Sequence, residues 1–182
     1  MSDVITNAMQ KFDEAVFYLN LMDRIECERS SLTKDREAAT EFSYLLSAFL
    51  NACYSCTEHL IRDKSNEDII REFKKHQHPD FYASGSTGGW RTKAVHYKPV
   101  IPEHYGYIRP PCNNAIIRFK ERRPYTSPKG DSVNFQFESL GKFYFSNSGA
   151  QNSICDICFA HLNDLKELIN TCICSCRNSK NR

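Results

Sequence analysis

The sequence predicts a mainly α-helical protein: an antiparallel helical bundle with a small antiparallel β meander inserted before its C-terminal helix. Apolar residues recur at three- and four-residue steps over residues 3–62 and again over 153–174, as on one face of a helix. Between residues 115 and 147 they alternate with polar ones instead, as on a half-buried strand. At 182 residues the chain suits one domain with a sizeable core. It divides into a helical core (3–100), a loop and β-meander insertion (101–150), and a closing helix with a tail (151–182).

Each element has its own grammar. Residues 3–29 carry Ile5, Phe12, Val16, Leu19, Met22 and Ile25 on one stripe, with Ser2 or Asp3 as cap. The polar segment RSSLTKD ends this helix. Residues 35–62 are the strongest element: Ala38, Phe42, Leu45, Leu46, Phe49, Cys53, Cys56 and Leu60 share a face that Leu50 and Tyr54 widen. The short link predicts a hairpin of the two. A third helix is expected over 65–76, capped by Ser65 and ended at His78-Pro79. FYASGSTGGW reads as a loop, with a short helix starting near Trp90. PVIPEHYGYIRPPC is too rich in proline and glycine for a long helix. AIIRFK, SVNFQFES and GKFYFSN read as strands joined by the turns TSPKGDS and SLG. The last helix, 153–174, aligns Ile154, Ile157, Cys158, His161, Leu162, Leu165, Leu168, Ile169 and Cys172, and a basic tail follows.

Composition narrows the function. A formal charge of +2 gives no global attraction to nucleic acid, so any anion must meet a local basic patch. No apolar run approaches the ~20 residues that span a bilayer, and the N-terminal segment does not read as a secretory signal. A cytoplasmic protein without membrane partners is expected. Nine cysteines, an odd number without a signal, argue against a disulfide framework. Cys155, Cys158, Cys172, Cys174 and Cys176 raise the question of zinc. On one straight helix, however, residues 155 and 172 stand over ~20 Å apart. No metal and no cofactor are expected. His161 lies on the apolar stripe and reads as a hydrogen-bonded core histidine.

The chemistry-bearing stretch is GGWRTKAVHYKPV, which sets Arg91 and His96 five positions apart. The spacing alone is weak, since Arg71 and His76 repeat it in a charged helix face that reads as solvated. Trp90, Ala94 and Val95 make the second occurrence different, because part of that turn must be buried. Five helical positions separate side chains by about 140° around the axis. The two groups can therefore converge only across a helix start or a subunit interface.

The hairpin carrying EFSYLLSAFLNACYSCTEHL, followed by RTKAVHYKPV, resembles the HEPN superfamily (higher eukaryotes and prokaryotes nucleotide-binding) over roughly residues 5–100. That resemblance implies a helical bundle, frequent dimerisation beside the motif, and metal-independent endoribonuclease activity through Arg-x4-His. The residue after the Arg is often Asn, Asp or His in that family, and here it is Thr92. Arg91 and His96 are the implied catalytic residues. The ribose 2′-OH is the nucleophile, His96 the general base and Arg91 the phosphate clamp. Thr92, Lys93 and Lys98 beside the motif, with Arg122 and Arg123 of IRFKERRPYTSPKG, are the expected substrate-binding residues. That basic segment reads either as a solvated hairpin or as a phosphate-tracking surface with Tyr125 as a stacking platform. The expected partners are RNA and a second copy of the chain. The alternative is a non-catalytic helical interaction module that binds a partner protein or nucleotide.

Overall fold

The computed structural model describes residues 3–28, 30–84, 88–96, 103–108, 117–120, 142–145 and 152–179; for Val95, His96, 103–108, 117–120 and 176–179 the backbone alone is described. Helix predominates, at 81% of the residues whose side chains are described. In chain order the elements are α1 (Asp3–Glu28), α2 (Ala38–Leu60), a 3-10 turn (Lys64–Asn66), α3 (Glu67–Glu72), a π-helical turn (Phe73–Gln77), α4 (Pro79–Tyr82) and α5 (Trp90–His96). The strands β1 (Glu103–Ile108), β2 (Ile117–Lys120) and β3 (Lys142–Tyr144) follow, and α6 (Ile154–Ser179) closes the fold.

The two long N-terminal helices form the expected hairpin. Ile5, Ala8, Ala15, Leu19, Met22 and Ile25 of α1 are buried, as are Phe42, Leu46, Phe49, Leu50, Cys53, Cys56 and Leu60 of α2. The link between them is fixed by Glu41, which accepts hydrogen bonds from the Leu32 and Thr33 backbone N–H groups and from the Thr33 hydroxyl. The Thr33 hydroxyl contributes most to holding the Glu41 carboxyl below its ordinary range. α1, α5 and α6 all pack on α2. The width of its apolar face is therefore accounted for within one chain, without a second copy.

The expected third helix is one helical region in three pitches: 3-10, α, then π. Its cap is Asp63, not Ser65. The Asp63 carboxylate accepts from the Ser65 N–H at 3.1 Å and the Ser65 hydroxyl at 2.8 Å. The helix ends at His78, as the following proline requires, and Pro79 opens the single turn α4. At the other end of the chain Ser153 caps α6 reciprocally. Its hydroxyl accepts from the Asp156 N–H, and the Asp156 carboxylate accepts from the Ser153 N–H, each at 3.2 Å.

The strands form an antiparallel sheet of order β2-β1-β3. Tyr105 pairs with Lys120 on one side of β1 and with Lys142 on the other. Glu103–Ile108, which reads as part of a turn-rich loop, is thus the central strand. The expected strand at 132–139 lies outside the described residues.

β3 docks the sheet on the helices. Phe143 stacks on Phe42 of α2 with ring centres 4.1 Å apart. Its backbone N–H donates to Glu26 at the end of α1, at 2.9 Å. Glu26 is buried, and desolvation raises its carboxyl above the ordinary 4.5, against the hydrogen bonds from Phe143 and the Cys155 thiol. A raised carboxyl favours the folded state at low pH, and that contribution is lost as pH climbs from about 4.5 through the raised value. Urea denaturation over this window should show stability falling in the wild type from this group and a flatter profile in Glu26→Gln, which keeps an acceptor. Glu26→Ala deletes the acceptor and should cost about 1–3 kcal/mol.

Candidate functional site

The Arg-x4-His segment begins where α4 meets α5. A Cβ on Gly89 would lie 2.7 Å from the Asp80 carbonyl oxygen and 2.7 Å from the Phe81 carbonyl carbon. Only glycine lets these two backbones approach so closely. The Ala83 carbonyl then accepts from the Gly89 N–H at 2.8 Å and from the Thr92 hydroxyl at 2.8 Å. Trp90 stacks on Phe145, ring centres 3.8 Å apart, and meets Phe81 edge-on at 4.9 Å. The start of α5 is thereby fixed to α4 and to the residue after β3, and the helix packs on α2.

Thr92 is buried and its hydroxyl is committed to Ala83. Thr92, expected among the substrate-binding residues, ties the motif helix down from inside through this bond. Lys93, the next residue, is exposed. His96 is the last residue of α5, and its side chain lies outside the described residues, as do Lys98, Arg122 and Arg123.

Arg91 is partly buried. Its guanidinium carbon sits over the Tyr54 ring, 4.0 Å from the ring centre, and its Nε is buried without a hydrogen-bond partner. Among the described residues no carboxylate forms an ion pair with it. Lys74 of the π turn approaches the same ring at 4.5 Å and the Tyr82 ring at 5.7 Å, and pairs with Glu58 at 2.5 Å. Burial, foremost, and the neighbouring Glu58 carboxylate raise the Tyr54 hydroxyl, while Arg91 opposes them.

The other Arg-x4-His pair behaves as its charged surroundings predict. Arg71 pairs with Glu67 at 2.5 Å and His76 lies 3.9 Å from Glu72, all on an exposed face. The chain thus holds one copy of this spacing in a neutralised surface and one whose Arg is partly buried over an aromatic ring. No protein-family profile, curated protein or solved structure matches the chain. The reading of this site therefore rests on its own residues.

A second group of rings lies nearby. His161 is buried as expected, shares a 2.8 Å hydrogen bond with the Tyr82 hydroxyl, and stacks on Phe81 at 3.9 Å. Burial, with His78 beside it, pushes its pKa down to about 3, so it stays neutral. His78 meets His161 edge-on at 4.6 Å and Asp164 at 3.3 Å, and burial lowers its pKa against that carboxylate. This cluster borders a cleft of about 840 Å³ lined by Asp68, Glu72, Asp164 and Glu167. Its carboxylates would repel a phosphate, so it does not compete as the anion site.

Among the described residues no group of three or more His, Cys, Asp or Glu could hold a metal ion. Cys53, Cys56, Cys155, Cys158 and Cys172 are buried free thiols and Cys174 is exposed. Burial pushes the thiols of Cys53, Cys155 and Cys158 well up, and that of Cys56 to about 12, which keeps them from acting as thiolates. No described helix is long and apolar enough to cross a membrane.

Two substitutions test the seating of α5. Gly89→Ala forces a methyl into backbone and should lower stability by about 1–3 kcal/mol. Thr92→Val removes one hydrogen bond to Ala83 and should cost about 1 kcal/mol. Both are read from denaturant midpoints.

Proposed function

We propose that the protein is a metal-independent endoribonuclease of HEPN type, with Arg91 as phosphate clamp and His96 as general base. The observation that carries this reading is the state of Arg91: a partly buried guanidinium over Tyr54, without a carboxylate among the described residues. An arginine serving stability alone would be expected to find an acid. One poised for a phosphate keeps its planar donor edge for two phosphate oxygens.

In the reaction His96 takes the proton from the ribose 2′-OH. The oxygen attacks the adjacent phosphorus, the P–O5′ bond breaks, and the products are a 2′,3′-cyclic phosphate and a 5′-OH end that takes up a proton. Arg91 stabilises the charge that builds on the equatorial oxygens. Because RNA supplies its own nucleophile, the chemistry needs no activated water. Both residues lie on α5, about 140° apart around its axis. The reading therefore brings Arg91 of one copy together with His96 of another in a homodimer, with Lys93 at the rim and RNA as the partner.

The inward Thr92 favours a second reading. The position next to the Arg, often a further polar group in HEPN enzymes, is used here for packing. A non-catalytic module with the same fold, binding a partner protein or nucleotide through Arg91, accounts for that as well.

A panel of structured RNAs, with product ends mapped, separates the two. His96→Ala and Arg91→Ala should each lower cleavage about 10²- to 10⁴-fold while folding is kept. Arg91→Lys should recover little. His76→Ala and EDTA should leave the rate unchanged. Cleavage that survives in His96→Ala, or a wild-type protein that is monomeric at micromolar concentration and cleaves nothing, contradicts the enzyme reading and leaves the module.

A further inference from the structure

The cations around Tyr54 come from two separate elements, and the sequence motif contains only one of them. Arg91 approaches from α5 at 4.0 Å and Lys74 from the π turn at 4.5 Å. Two charges each within 4.5 Å of one ring centre lie no more than about 9 Å apart. Lys74 is not a solvated surface lysine, since its side chain is 18% exposed and rests against the rings of Tyr54 and Tyr82. One carboxylate, Glu58, serves the group: it pairs with Lys74 at 2.5 Å and its charge acts on the Tyr54 hydroxyl. Two cations against one acid leave one positive charge unmatched among the described residues. Like charges held this close repel, and the negative face of the ring offsets only part of that repulsion. An anion bound across both would relieve it.

We propose that Lys74 and Arg91, organised by Tyr54, form a binding site for a phosphodiester group of RNA. Tyr54 is a positioning residue: its ring sets where both cations stand. Glu58 holds Lys74 over the ring by its charge. The proposal deepens the ribonuclease reading, since it assigns Lys74 to the substrate phosphate that Arg91 clamps. It can nevertheless be tested without cleavage.

The test is fluorescence anisotropy with a labelled single-stranded RNA whose riboses are 2′-O-methylated, so that no 2′-OH can attack. Lys74→Gln should weaken binding about tenfold and reduce the slope of log affinity against log salt by about one. Tyr54→Leu should weaken it similarly. Tyr54→Phe, which keeps the ring, should bind within about twofold of wild type. Lys75→Gln removes the same charge from the neighbouring exposed residue and should change little. Circular dichroism checks each variant's fold, and if Tyr54→Leu does not fold, Lys74→Gln against Lys75→Gln decides. Equal losses in those two, no loss in Lys74→Gln, or no binding by the wild type overturns the site. A site that binds as expected in a protein that cleaves no RNA sinks the ribonuclease reading alone. Cleavage with wild-type binding in Lys74→Gln sinks this inference alone.

Discussion

The apolar surface of α2 is the constraint from which the rest of the fold follows. Phe42, Leu46, Phe49, Cys53, Cys56 and Leu60 are wholly buried, and no single neighbour can cover so broad a face. α1, α5 and α6 all pack on it. Tyr54 sits at the edge of this face, half in the core and half out. A ring in that position offers a π surface to whatever packs beside α2. The place of the candidate site is thus a consequence of where the core ends.

Two junctions tie the smaller elements to this core, and each uses a polar group that burial makes selective. At the first, Glu26 accepts the Phe143 N–H while Phe143 stacks on Phe42, which fixes β3 against α1 and α2 together. At the second, the Ala83 carbonyl accepts from Gly89 and Thr92, and Trp90 lies between Phe81 and Phe145. A slip of α5 by one residue would break the Thr92 bond and move Trp90 from its stack. These contacts fix the backbone of α5 from which Arg91 reaches over Tyr54.

The long helices were legible because their burial follows the 3.6-residue period, and α1, α2 and α6 stand close to where that period places them. The short elements were less so. Glu103–Ile108 has proline before it and a glycine within it, yet it is the central strand, since pairing on both sides outweighs local propensity. Asp63 rather than Ser65 caps the third helical region because a carboxylate can accept from both the N–H and the hydroxyl of Ser65. At the site, the spacing of Arg91 and His96 was visible, as was the burial implied by Trp90. The inward turn of Thr92 was not, because it depends on the Ala83 carbonyl across a loop. Nor were Tyr54, Glu58 and Lys74, which arrive from α2 and the π turn with no spacing that marks them. Tyr54 reads in the sequence only as a widening of an apolar face.

Arg91 stands partly buried over Tyr54 with its Nε enclosed, and the proposed anion site rests on that placement. The Nε–H resonance of Arg91, assigned with Arg91→Lys and followed by proton–nitrogen NMR, tests this most directly. The expected signal is slow to exchange with solvent, because that atom is buried, and is shielded by the Tyr54 ring current. It should lose its shielding in Tyr54→Leu and move when 2′-O-methylated RNA is added. A resonance that exchanges as fast as those of exposed arginines, at the position of an unstructured chain and unmoved by RNA, would contradict it.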